Sequence, residues 1–203
     1  MNHDKFPYSP NRDRLTDLPD HAAISDHLDK LTLKMPGDFG LLAIDVDGFK
    51  GLNDERGHGT GDRLLIVIGQ TLNDNLRRDD RFMPARRSGD EFLIALHGVH
   101  EDADIEAVAE RIRILLTEQI QFIDNRVGIS IGGRVHRIGE TAEELMRAAD
   151  ELMAQDKDRR KIERYNSERA HEAIRKMAHL AFQAGIDDRD IPRLLNLHRR
   201  GLF

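Results

Sequence analysis

Apolar and polar positions follow two rhythms along this chain, one of strand type and one of helix type. Leu41-Leu42-Ala43-Ile44 is a short continuous apolar run, which predicts a strand buried on both faces in the middle of a sheet. Phe92-Leu93-Ile94-Ala95-Leu96 is a second run of strand length. Ser88-Gly89 stands before it as a turn signal, so residues 82–96 read as a hairpin. Val127-Gly128-Ile129-Ser130-Ile131-Gly132-Gly133 alternates apolar with small residues, as a strand does where another element packs closely on it.

Helical spacing fills the intervals. Asp20 is placed to cap a helix through Ala23, Ile24, Leu28 and Leu31, and Leu64, Leu65, Ile68 and Leu72 describe another. Ile105, Val108, Ala109, Ile112 and Leu116 give an amphipathic covering helix over residues 101–119. Thr141-Ala142-Glu143-Glu144 has the form of a capping box and opens a helix through Leu145, Ala149, Leu152 and Met153. Ala170, Ile174, Met177, Ala181 and Ala184 mark a further helical face over residues 167–185, with a second short helical segment over 188–202.

Strands alternating with helices around an antiparallel hairpin predict an α/β (α+β) fold with a mixed central sheet covered by helices. The expected organisation is a short lead over residues 1–12 with no room for a sensor, one domain over 13–166, and a helical tail over 167–203. The tail carries no catalytic pattern, and its roles stay open between a packing strap, a dimer contact and a site for a protein partner.

Composition narrows the class. The chain has 203 residues, 39% of them apolar and 33% charged, enough for one ordinary domain with an appendage. No apolar run approaches the roughly eighteen residues that span a bilayer, and the first residues lack the pattern of a secretory signal. The expectation is a cytoplasmic protein without membrane contact. Cysteine is absent, which excludes disulfides and thiolate chemistry. A net charge of -6 argues against nucleic acid as a partner, though not against a nucleotide as substrate.

Four features carry candidate chemistry. Asp45 and Asp47 share one side of an extended segment with the Val46 carbonyl between them, and such hard oxygen donors suit Mg²⁺ or Mn²⁺. Asp90 and Glu91 follow Gly89, where a ligand can approach backbone closely. The polar, glycine-rich stretch from Gly48 to Asp62 offers Phe49, Lys50, Asn53, His58 and Asp62 around a loop-rich pocket, and the amide of Asn53 with the acceptor Asp62 matches a guanine edge. Lys157 and Lys161 stand after the last core helix as possible phosphate contacts. Each feature also has an ordinary reading: acidic residues ending a strand, a solvated hairpin tip, a helix cap at Asp62, a solvated basic helix end.

The pieces together resemble the GGDEF-domain diguanylate cyclases over about three quarters of the chain. Asp13-Arg14-Leu15-Thr16-Asp17-Leu18-Pro19-Asp20 is similar to the family's opening D-x-L-T-G-L-x-N. The segment from Asp45 to Asp54 is similar to D-x-D-x-F-K-x-x-N-D, and Gly57-His58 through Gly61-Asp62 to G-H-x-x-G-D. Ser88-Gly89-Asp90-Glu91-Phe92 stands at the signature as an S-G-D-E-F variant, Ser130-Ile131-Gly132 matches the S-x-G strand, and Ala149-Asp150 through Lys157 resembles the closing helix.

That resemblance implies a fold like the palm of nucleotide polymerases and adenylyl cyclases, and condensation of two GTP into cyclic di-GMP and pyrophosphate. It implies Mg²⁺ or Mn²⁺ on Asp45, the Val46 carbonyl and Asp90, with Glu91 as base or further ligand and Lys50 stabilising the transition state. Asn53 and Asp62 would read guanine, His58 would lie near the ribose, Phe49 and Gly89 would line the substrate site, and Lys157 and Lys161 would contact the β- and γ-phosphates. One domain holds one GTP, so the implied catalyst is a two-fold homodimer.

Departures from the pattern set further expectations. Ser88 replaces the first signature glycine, where a hydroxymethyl group could crowd the α-phosphate or strain the turn. Arg160-Lys161-Ile162 replaces the closing G-R-N. The inhibitory R-x-x-D is out of register: its ends would fall on Asp79 and Phe82, while Arg77-Arg78-Asp79-Asp80 carries the pattern two residues early. The rival reading is a catalytically weak GTP-binding module that acts through a protein partner. A related cyclase with another product fits less well, because Asp62 favours guanine over adenine.

Overall fold

A computed structural model describes residues 11–76 and 81–183. Two compact units are distinguished, Met1–Lys157 and Asp158–Phe203. The elements are α1 (His21–Lys34), β1 (Phe39–Asp47), α2 (Phe49–Arg56), α3 (His58–Leu76), β2 (Phe82–Ser88), β3 (Glu91–His97), α4 (Asp102–Gln121), β4 (Gly128–Val135) and α5 (Ala142–Gln183). The four strands lie in the order β2-β3-β1-β4.

The helix-covered central sheet expected from the sequence is present. Its strand pairing is antiparallel throughout rather than mixed, at β1–β3, β1–β4 and β2–β3 alike. The hairpin supplies the β2–β3 pair, α2 and α3 carry the chain from β1 to β2 on the far side of β3, and α4 carries it from β3 past β1 to β4.

Strand alternation decides which side chains meet which helices. On one face, Leu42, Ile44 and Val46 of β1, Phe92, Ile94 and Leu96 of β3, and Ile129 and Ile131 of β4 join the apolar sides of α3 and α4. On the other, Phe39, Leu41 and Ala43 of β1 and Leu93 and Ala95 of β3 pack with Ala23, Ile24, Leu28 and Leu31 of α1 and with Ala142, Leu145 and Ala149 of α5. Continuing the alternation puts Asp45, Asp47, Glu91 and Ser130 on this second face. Gly132 lets α5 lie directly on β4 there, because a methyl group on it would stand 2.0 Å from the Met153 backbone nitrogen.

The caps read from the sequence are formed. Asp20 accepts from the Ala23 N–H, and Thr141 and Glu144 each bond the other's backbone N–H. The glycine-rich stretch after β1 differs from the loop expected: it is two helices, α2 and α3, broken only at Gly57. The glycines at its start and its break, Gly48 and Gly57, hold positive φ, while those inside the helices are tolerated because packing outweighs their propensity cost. Since α3 starts at His58, Asp62 is a first-turns residue and not a cap.

Helix α5 runs unbroken past the sequence boundary at 166. Within the second unit Ile162, Tyr165, Ile174 and Leu180 are exposed. Residues 1–10 of the lead over 1–12, the displaced R-x-x-D at 77–80, and the helical segment over 188–202 lie outside the described residues.

Candidate active site

The site is built where β1 outruns β3. Asp45 pairs across the ladder with Glu91, the first residue of β3, while Val46 and Asp47 continue in register only with β4. The β3-facing backbone of Val46 is thus outside the ladder, beside the turn that carries Asp90. That turn is Gly89-Asp90, one residue later than the sequence signal suggested. Gly89 takes φ +47°, the left-handed region that glycine enters without cost.

Ser88 is the last residue of β2 and has no positive φ, so the variant signature brings no backbone strain. Its hydroxyl donates to Glu91 Oε2 at 3.0 Å. Two consecutive arginines brace the hairpin. Arg86 donates to the Gly89 carbonyl through Nε and Nη2 and to the Asp13 carboxylate through Nη1 at 2.9 and 3.0 Å. Arg87, at the bulge between Arg86 and Ser88, donates to both oxygens of Asp150 on α5. Asp13 is pulled below the ordinary carboxylate range: burial opposes this, but hydrogen bonds from Thr16 and Arg86 outweigh it.

Lys157 closes the same face from α5. Its Nζ lies 2.5 Å from Asp45 Oδ2 and 4.0 Å from Asp47 Oδ1. Burial works against its charge, but Asp45, then Asp47 and Asp90, hold its pKa above the ordinary lysine value. Asp90 is shifted upward, chiefly by burial; Asp45 and Glu91 add to the shift, while its own backbone N–H and Lys157 oppose it. Asp47 is differently placed from Asp45. It is buried, and both its oxygens accept from the buried Ser130 hydroxyl at 2.8–2.9 Å, which makes it a strand-to-strand tie.

The helix turn before Lys157 is anchored by Asp156, whose side chain is 6% exposed. Asp156 Oδ2 accepts from the Ile131 N–H and from Arg113 Nη2, both at 3.0 Å, while Arg113 Nη1 donates to the Ile129 carbonyl. These groups sit on the outer edge of β4.

The second half of the candidate site lies on α2 and α3. Lys50 is exposed in the first turn of α2, directly after the carboxylates of β1, and His58 and Asp62 are exposed at the start of α3. Asn53 and Phe49 are partly buried against Gly61; a methyl group there would come within 2.0 Å of Asn53 Oδ1 and 3.0 Å of Phe49 Cζ. Asn53 Oδ1 is buried with no hydrogen-bond partner, an orphaned acceptor of the kind a ligand donor satisfies. The end of α2 is held by Arg56 and Glu55, which join Asp124 and Arg126 in an ion-pair network. Arg126, and then Arg56, hold Asp124 far below the usual carboxylate range.

The structure therefore gathers Asp45, Val46, Gly89, Asp90, Glu91 and Lys157 at one end of the sheet, and Phe49 and Asn53 around Gly61. Lys161 falls in the second unit, where it is exposed. Among the described residues no three acidic or histidine side chains form a metal cluster by themselves. The donors at hand, two carboxylates and a carbonyl, are hard oxygens, so the residues fit such an ion. Sequence reasoning missed the roles of Ser130, Asp150 and Asp156 and the brace from Arg86 to Asp13; the paired arginines directly before the tip were the signal that could have found the last.

This arrangement of sheet, helices and hairpin is the fold of solved GGDEF cyclase domains. It is similar to the diguanylate cyclase SiaD of Pseudomonas aeruginosa, solved with its activator SiaC, at TM-score 0.65 and 31% identity over 72% of this chain and 58% of that one. In fold it is also similar to the GGDEF domain of DgcB from Caulobacter crescentus, solved with c-di-GMP, at TM-score 0.65 and 24% identity over 74% of this chain and 89% of that one. The sequence family "Diguanylate cyclase, GGDEF domain" matches residues 10–163, and the chain belongs to that family. It is 37% identical to the bifunctional diguanylate cyclase/cyclic di-GMP phosphodiesterase MucR of Pseudomonas aeruginosa over 152 residues, 72% of this chain and 22% of MucR. It is 33% identical to the diguanylate cyclase DosC of Escherichia coli over 128 residues, 61% of this chain and 27% of DosC. The match thus spans about a quarter of the length of these curated relatives. No described helix is long and apolar enough to cross a membrane.

Proposed function

We propose that this chain is a diguanylate cyclase that condenses two GTP into cyclic di-GMP across a two-fold homodimer. The observation that carries this reading is the meeting of Asp45, paired with Glu91, and Lys157 on the α5-covered face of the sheet, beside the turn that carries Asp90. Asp45, the Val46 carbonyl and Asp90 would hold Mg²⁺ or Mn²⁺, which supplies charge neutralisation at the reacting phosphate.

The remaining work belongs to the chain's own groups. Asn53, with its orphaned acceptor, and Asp62 receive the guanine N–H donors, Phe49 shapes the wall beside them, and His58 lies toward the ribose. Gly89 admits the phosphates close to the hairpin backbone, and Lys157 binds the β- and γ-phosphate oxygens. The 3′-hydroxyl of the partner's GTP attacks the α-phosphorus as the bond to pyrophosphate breaks, and Glu91 takes up the hydroxyl proton. Lys50 offsets the charge that develops on the phosphoryl oxygens. The same transfer in the opposite direction closes the ring, which is why two copies are required.

The test is incubation of purified protein with GTP and Mg²⁺, identification of the product, and an Asp90→Ala, Glu91→Ala control. Cyclic di-GMP that depends on these carboxylates and rises more than linearly with protein concentration is the expected result. Retained GTP binding without product would instead favour a binding module that works through a protein partner, for which residues 167–203 are the first surface to probe.

A further inference from the structure

We infer that Lys157 is a built-in counter-cation that competes with the divalent ion for Asp45, so that metal enters this site only together with the phosphates that draw the lysine away. The inference rests on the metal and phosphate roles proposed above and adds a coupling between them. Its first ground is position. Lys157 Nζ stands 2.5 Å from Asp45 Oδ2, within direct ligand range of the oxygen a cation would claim, and 4.0 Å from Asp47 Oδ1. An ammonium and a divalent ion on one carboxylate repel strongly in a partly buried site.

The second ground is the tether. The Asp156 carboxylate, almost fully buried, is locked by the Ile131 N–H and by Arg113, so the helix turn that carries Lys157 is fixed to β4. Only the lysine stem is free to swing, and its side chain is 49% exposed. A four-carbon stem allows that movement at small cost, whereas a short or planar side chain would not. Triphosphate oxygens offer the departing ammonium a replacement for Asp45. A bare ion offers it nothing, and must pull Asp45 from a charge-assisted hydrogen bond unaided. The site is thereby selective for the metal–triphosphate complex over free metal.

The experiment is Mn²⁺ titration of the full chain without nucleotide, followed by electron paramagnetic resonance, for native protein and for Lys157→Met and Lys157→Gln. Circular dichroism identifies folded variants, and the glutamine variant keeps a polar side chain of similar length should methionine disturb the fold. Mn²⁺ affinity is expected to rise at least about tenfold on removal of the ammonium, and to be lost again when Asp45→Asn is added. Equal affinity in native protein and variants overturns the inference, while product formation from GTP by the native protein would leave the cyclase reading standing. Absence of Mn²⁺ binding from all forms, with or without 3′-deoxy-GTP, overturns the inference and the metal assignment together.

Discussion

The Ser88 hydroxyl donates to Glu91 Oε2 at 3.0 Å across the two-residue turn of the signature hairpin. The residue that departs from the family signature is therefore tied to the carboxylate beside it, in a strand conformation any residue adopts. Ser88→Gly should leave the initial rate of cyclic di-GMP formation within about threefold of native, as for other exposed substitutions without strain. A gain of a hundredfold would show instead that the serine obstructs the site.

Gly61 predicts a separation of binding from folding. Its absent side chain is the space in which Asn53 and Phe49 sit, so Gly61→Ala drives a methyl group into the Asn53 amide. Overpacking of this kind costs about 1–3 kcal/mol. Moving Asn53 should also raise KM for GTP by roughly tenfold or more. Steady-state kinetics beside urea unfolding checks both.

Asp156 is expected to matter for stability although it touches no substrate. Asp156→Ala leaves the Ile131 N–H unsatisfied and Arg113 without its buried partner, a loss of about 3 kcal/mol. Urea denaturation measures it, and Arg113→Met added to Asp156→Ala should recover part of the loss.

A pH dependence is written into the pair His27 and His97, whose Nε2 atoms lie 2.9 Å apart between α1 and β3. Burial, then the neighbouring His97 and Lys30, push His27 from 6.5 down to about 4; burial also lowers His97, with Asp38 opposing. A histidine with a depressed folded pKa resists protonation in the native state while the unfolded chain accepts the proton. Stability is therefore full above about pH 6.5 and falls as pH drops toward 4. Urea unfolding at pH 7, 6, 5 and 4 should show that decline, and His27→Gln should flatten it.

Much of this was legible in the sequence because it depends on short-range regularities. The apolar runs at 41–44 and 92–96 marked two strands, and the period of two then put Asp45 and Asp47 on one side. The helices at 21–34 and 102–121 followed from their apolar spacing, the first also from its cap at Asp20. The segment over 48–62 misled because glycine content argues for loops, whereas packing of Leu52, Leu64 and Leu65 into the core makes it helical. The tie of Ser130 to Asp47 and the placing of Lys157 on Asp45 join residues 83 and 112 positions apart, and no local pattern announces such pairs.

The side chains on the outer rim of β4 bear on what this sheet can join. An open strand edge invites another molecule to add a strand, the route by which sheet proteins polymerise. At Ile129 and Ile131 the carbonyl and the N–H are already taken by Arg113 and Asp156. Growth of the sheet into a neighbour is blocked at that point, and the pair that fixes the site also guards the protein against self-templated aggregation there.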